Sequence, residues 1–167
     1  MTTEPDPLRR RVVEWEDPLI GAAQAKTLGG LEYLNAMIAG RIPPPPIAVL
    51  MNLELVSASH GTAVFTCTPD ESVYNPIGAV HGGFMCTALD SALGCAVHST
   101  LRAGQGYTSL EIKVNYLRAL NTVSGTLTVT GTVTKPGSRI AFAEGVVTDS
   151  EGRTVATASS TLLVFEA

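Results

Sequence analysis

The segment from Phe84 to Val97 constrains this chain more than any other. Phe84, Met85, Cys86, Ala88, Leu89, Ala92, Leu93, Gly94, Cys95, Ala96 and Val97 leave it almost no polar face. A helix that is apolar all round is buried on most faces. Into it the sequence sets one acid, Asp90, with no Lys or Arg within a turn or two. Burying an unpaired carboxylate is costly, or forces its pKa upward. Such a cost is ordinarily tied to a function. The plainer alternative is that Asp90 caps a neighbouring loop or pairs with a distant lysine.

The start of the same helix adds a second feature. Gly82 and Gly83 leave backbone N–H groups uncovered by side chains. At a helix N-terminus those donors point outward, and the macrodipole favours negative charge. That arrangement suits an oxyanion hole. Two glycines can also do no more than let a loop pass tightly.

Around this helix the chain reads as alternating turns and β-branched runs. Residues 1 to about 26 form a charged lead-in without clear periodicity. Thr27 to Gly40 reads as a short helix, with Leu28, Leu31, Leu34, Met37 and Ile38 at helical spacing and Gly40 at the C-cap. Pro43 to Pro46 reads as an extended, rigid spacer. Met51 to Ser57 and Thr62 to Thr68 read as a hairpin turning at Ser59, His60 and Gly61. Tyr74 to Gly78 is a turn-rich loop leading to His81. Four strands follow the helix, Tyr107 to Leu117, Gly125 to Thr134, Arg139 to Asp149 and Arg153 to Phe165. Lys135 to Ser138 and Ser150 to Gly152 are the clearest turns between them. The pattern is α+β, an antiparallel meander around one helix. We divide it into a lead-in, 1–45, and a main domain, 46–167.

Composition removes several classes of function. At 45% hydrophobic residues the 167-residue chain can bury a core. The net charge is −4, and Arg9, Arg10 and Arg11 make too small a cluster for a nucleic-acid footprint, so a solvated arm is expected. No run is long and apolar enough to span a bilayer. Met1 to Pro18 holds no apolar core of a signal peptide. Cys67, Cys86 and Cys95 make no CxxC pair, and their odd number fits a reduced, cytoplasmic compartment. His60, His81 and His98 show no zinc spacing with one another or with the cysteines. No metal or other cofactor is expected.

Asn75-Pro76-Ile77-Gly78-Ala79-Val80-His81-Gly82-Gly83, followed by Leu89-Asp90-Ser91-Ala92, resembles the signature of the PaaI-type hotdog acyl-CoA thioesterases. Glu111 to Arg118 resembles that family's strand after the helix, and Asp149 to Leu163 its closing hairpin. The likeness covers residues 45 to 165, and the joint spacing of loop Asn, His-Gly-Gly and helix Asp is its specific part. It implies the hotdog fold, a sheet wrapped around the long helix. It also implies homodimers, often paired into tetramers, with active sites between protomers and Asp90 supplied opposite the glycine donor. By resemblance, Asp90 is nucleophile or general base. Gly82 N–H holds the oxyanion, and Asn75 orients the attacking water or the carboxylate. His81 shapes the loop near the thioester. A hydroxyl residue facing the acid is Ser109, with Thr108 as the alternative. Gly83, Lys135, Gly137, Ser138 and Arg139 fall where the family meets CoA, Lys135 and Arg139 by charge. Phe84, Met85 and Leu89 are either acyl-pocket lining or core.

Other readings compete. Hotdog hydratases and dehydratases use a differently spaced His with a nearby acid, and the acid expected before Asn75-Pro76 is replaced by Ser72, Val73 and Tyr74. Cys95 and His98 lie one turn apart, as a cysteine hydrolase would need, but no orienting acid follows. A non-catalytic acyl-CoA-binding module remains the alternative outside enzymes.

Overall fold

The computed structural model describes residues 8–166. Residues 1–7, part of the lead-in and of the stretch read for a signal peptide, lie outside the described residues. The elements in order are α1 (Pro18–Ala25), α2 (Gly30–Ile38), α3 (Pro46–Leu50), β1 (Leu53–Ser59), β2 (Thr62–Cys67), α4 (Gly82–His98), β3 (Gln105–Tyr116), β4 (Leu127–Lys135), β5 (Ile140–Thr148) and β6 (Thr154–Glu166). The strands form one antiparallel sheet in the order β1-β2-β4-β5-β6-β3, and α4 packs against all six.

A row of small residues seats the helix. Cross-strand pairing aligns Ala58, Ala63, Gly131, Gly145 and Ala158 across β1, β2, β4, β5 and β6. Side chains on one face of a sheet normally hold the next packed layer off the backbone, by about 10 Å where two sheets stack. Here a Cβ on Gly131 would lie 2.8 Å from Leu93 N and closer still to the Ala92 carbonyl. The helix backbone therefore rests directly on β4. Leu89, Ala92, Leu93, Ala96 and Val97 are all fully buried by this approach.

Turn chemistry fixes the register. His60-Gly61 closes the β1–β2 hairpin between Ser59 and Thr62, with Gly61 at φ +80°. At the β5–β6 turn the buried Asp149 carboxylate accepts from the N–H groups of Glu151 (3.0 Å) and Arg153 (2.9 Å) and from Arg153 Nε (2.8 Å). Those bonds hold its carboxyl below the usual range despite burial.

The N-terminal region departs from the sequence reading in three ways. The lead-in contains a helix, α1, with Pro18 in its first turn and the Asp17 side chain accepting from Leu19 N–H. The proline run is extended only as far as Pro45, and Pro46 opens α3. The arginine arm is also held in place. Arg9 Nε pairs with Glu71 at 2.6 Å, and Arg11 lies 4.0 Å from Asp70. The expected helix end is present: Gly40 N–H donates to Met37 O (3.0 Å) and Arg41 N–H to Ala36 O (2.9 Å), with Gly40 at φ +71°. No helix among the described residues is long and apolar enough to cross a membrane.

His98 sits where α2 meets the end of α4. It is buried, and neither ring nitrogen has a hydrogen-bond partner among the described residues. Its ring meets Tyr33 edge-on at 5.3 Å and Tyr107 at 5.7 Å. Cys95 precedes it by one turn of the helix. Burial holds the imidazole neutral by lowering its pKa below the ordinary 6.5. The unfolded chain then binds a proton that the folded chain refuses. Stability is complete above the unfolded pKa and is lost as pH falls toward the folded value, at up to about 1.4 kcal/mol per pH unit. Thermal melts of wild type and His98→Phe between pH 7.5 and about pH 5 test this. The wild type loses more stability on acidification than the variant; parallel losses would remove His98 as the cause.

Candidate active site

The loop before α4 is organised by its own side chains. Asn75 Oδ1 accepts from the N–H groups of Ile77 and Ala79, both at 3.1 Å, and Asn75 N–H donates to Ala79 O at 2.8 Å. His81 is the N-cap of α4: its Nδ1 accepts from Gly83 N–H (2.8 Å), and its carbonyl accepts from Phe84 N–H (3.0 Å). The Gly83 donor is thereby occupied. Gly82 N–H has no protein acceptor among the described residues. This leaves Gly82 as the open donor of the expected Gly-Gly pair.

Tyr116, at the end of β3, clamps this turn and was not foreseen as a site residue. Its hydroxyl donates to Gly82 O at 2.9 Å. Its ring lies so close that a Cβ on Gly82 would be 3.0 Å from Tyr116 Cζ. A side chain at position 82 would push against the ring, so the glycine serves close approach as well as donor exposure.

Asp90 differs from expectation. It is exposed in the protomer, because the face of α4 that carries it lies beyond the cover of the protomer's own sheet. It is not unpartnered: Ser109 Oγ donates to Asp90 Oδ1 at 2.7 Å. Ser109, rather than Thr108, therefore faces the acid. A β-bulge aims it: Ser109 pairs with Leu162 and Glu111 with Thr161, leaving Leu110 extra. Burial, with a smaller push from the Asp90 carboxylate, raises the pKa of Cys86 and takes that of Cys95 up to about 12. A thiol held protonated is a poor nucleophile. With neither His98 ring nitrogen hydrogen-bonded among the described residues, the Cys95–His98 pair has no hydrolase geometry.

Asp90 borders two openings. One is a cavity of about 540 Å³ between α4, β1 and the N-terminal helices; the other, of about 330 Å³, lies between α4 and the bulged part of β3. Phe84, Met85 and Leu89 are core and line neither. Thr108 lies one residue along β3 from Ser109, on the opposite side of the pleat. Lys135 lines a shallow depression with Glu111, Phe142 and Glu144, which shares Glu111 with the smaller Asp90 opening but does not include Asp90, and Ser138 and Arg139 are exposed on the β4–β5 turn. Gly137 is required there, since a Cβ would collide with the Ile140 carbonyl. Within one protomer the structure thus unites Asp90 with Ser109, and Gly82 with His81 and Tyr116. It does not bring the Lys135–Arg139 turn to either group.

Residues 77–156 match the profile of the thioesterase superfamily. The likeness to that superfamily is thus carried by the segment from the loop before α4 into β6. Human acyl-coenzyme A thioesterase 13 is 30% identical over 94 residues, which cover 56% of this chain and 66% of the human protein. A Streptococcus mutans protein solved bound to acetyl CoA superimposes with a TM-score of 0.63 at 28% identity, over 69% of this chain and 90% of that one. The E. coli PaaI protein of the phenylacetic acid degradation operon shares the fold, with a TM-score of 0.72 at 22% identity over 84% and 98% of the two chains. The fold is therefore of the hotdog type, a six-stranded sheet with α4 against it. The matched segment holds His81, Gly82, Asp90, Ser109 and Tyr116, and Asn75 lies two residues before it.

Proposed function

We propose that this protein is an acyl-CoA thioesterase that hydrolyses an acyl- or aryl-CoA to the free acid and CoA. The observation that carries the reading is the exposed Asp90 carboxylate, held by Ser109 at 2.7 Å at the mouth of an apolar cavity, within the segment matched to the thioesterase superfamily. As general base, Asp90 takes a proton from water while the water oxygen bonds to the thioester carbonyl carbon. The carbonyl π pair moves onto oxygen and is held by Gly82 N–H at the head of α4. Collapse re-forms the carbonyl, breaks the C–S bond and releases CoA thiolate, which recovers the proton. As nucleophile, Asp90 makes the same attack itself, and water then cleaves the resulting anhydride. Ser109 orients the carboxylate in either route. Asn75 and His81 hold the loop that presents Gly82.

The site needs two chains. Asp90 follows Gly82 by eight residues on one helix, which at 1.5 Å per residue separates them by about 12 Å. One carbonyl cannot touch both. Gly82 of one protomer and Asp90 of another can share a substrate in a homodimer or a pair of dimers. The strand β3 stands at the sheet edge with Leu110 exposed, and unpaired edge strands invite such pairing. In that assembly Lys135, Gly137, Ser138 and Arg139, with Thr108 and Gly83, are available to the CoA moiety. Free Cys67, Cys86 and Cys95 suit a reduced cytoplasm. Light scattering on active enzyme tests the arrangement. A dimer or a multiple of it is the expected mass, and a fully active monomer would refute it.

A further inference from the structure

The cavity of about 540 Å³ that ends at Asp90 is walled on its outer side by the N-terminal region. Met37 and Ile38 come from α2, Pro44 and Pro45 from the connector, and Ile47 from α3. Phe65, Cys95 and Tyr107 lie on the opposite side. None of the wall residues belongs to the segment matched to the superfamily, which begins at Ile77. The connector holds its line because prolines fix their own backbone, and α3 begins only where Pro46 opens it.

We infer that α2, the proline connector and α3 form the wall of an acyl pocket, and that the pocket takes an uncharged hydrocarbon acyl group larger than acetyl. The inference rests on the thioesterase reading for the place of the reacting carbonyl, beside Asp90. Three observations carry it. The cavity falls within the size range of pockets that enclose whole small ligands, far more than acetyl needs. Its wall is aliphatic and its far side aromatic and thiol-bearing, with the Cys95 thiol kept protonated. Among the described residues its charged lining is Glu54 and Asp90, both acids, with no Lys, Arg or His. An acyl group ending in a carboxylate would meet like charge and no cation. An apolar acyl group gains by leaving water, and the gain grows with each methylene buried.

The test separates the pocket from the chemistry. Binding of octanoyl-CoA, acetyl-CoA and free CoA is measured on the Asp90→Asn protein, and kcat/KM for the two thioesters on otherwise wild-type protein. Octanoyl-CoA binds at least about tenfold more tightly than acetyl-CoA, and its kcat/KM exceeds that of acetyl-CoA by a similar factor. Ile47→Trp fills the cavity from α3 and reduces both ratios about tenfold. Leu50→Trp, on the same helix but outside the cavity, leaves both ratios in place. Circular dichroism checks the fold, and Ile38→Trp on α2 takes the place of Ile47→Trp should that variant not fold. Turnover without a preference for octanoyl-CoA, or a preference that both Trp variants retain, would overturn the pocket. A binding preference erased by Ile47→Trp in a protein that hydrolyses no acyl-CoA would leave the pocket standing and remove the thioesterase reading.

Discussion

Gly131→Ala lowers the melting temperature by roughly 10 °C. The new Cβ meets backbone, not the end of a side chain: Leu93 N at 2.8 Å, and the Ala92 carbonyl closer still. Backbone inside a helix cannot swing aside. Either α4 lifts off β4 as a body or the strand bends, and both open the packing of Leu89, Leu93 and Val97. Overpacking of this kind costs about 3 kcal/mol or more. Gly145, paired directly with Gly131 on the next strand, is the internal control. A Cβ there meets Leu89 Cδ2 at 3.0 Å and Leu93 Cδ2 at 3.3 Å, the tips of side chains that can rotate. Gly145→Ala therefore costs clearly less. Thermal melts of both variants check the order, and equal losses would show that α4 does not rest on β4 through Gly131. Ala92 is two residues from Asp90, so lifting the helix also moves the carboxylate away from Ser109.

Much of the fold is legible in the sequence because it is written in local signals. Gly61 and Gly152 take positive φ at the hairpin turns where Gly was read as a turn marker, and β-branched runs between them became strands. The apolar segment became α4 with its start at Gly82. The two missed helices are short. The eight residues of α1 and the five of α3 have too few turns for periodicity to register. A proline run reads as extended unless something shows that its last member opens a helix. What holds α3 is packing against β1, which lies outside any local window.

The candidate site was legible in part for the same reason. Asp90 and Ser109 lie 19 positions apart, and family spacing joined them, but the bulge at Leu110 that aims Ser109 has no sequence mark. The exposure of Asp90 ran against the rule that an apolar helix is buried on most faces. That rule counts side chains and cannot say which face the chain leaves uncovered. The roles of Asn75 and His81 as loop and helix caps were within reach, because both bond backbone two to four residues ahead. The clamp of Tyr116 on Gly82 joins residues 34 positions apart, and the acyl-pocket wall joins α2 and α3 to α4; neither leaves a local trace.

Asp90→Asn removes the carboxylate while preserving shape and the carbonyl oxygen that Ser109 Oγ can still reach. Because Asp90 is exposed in the protomer, the melting temperature changes little. Loss of a nucleophile or base lowers kcat by about two orders of magnitude or more. Ligand affinity persists, since a neutral amide repels neither the thioester nor the phosphates of CoA. The decisive measurement is the release of CoA thiol from medium-chain acyl-CoA by wild type and Asp90→Asn on matched preparations, with melting temperature and ligand affinity taken from the same samples. The account predicts turnover by the wild type and its near-complete loss in a folded, ligand-binding variant. A folded Asp90→Asn protein that releases thiol at close to the wild-type rate would contradict it.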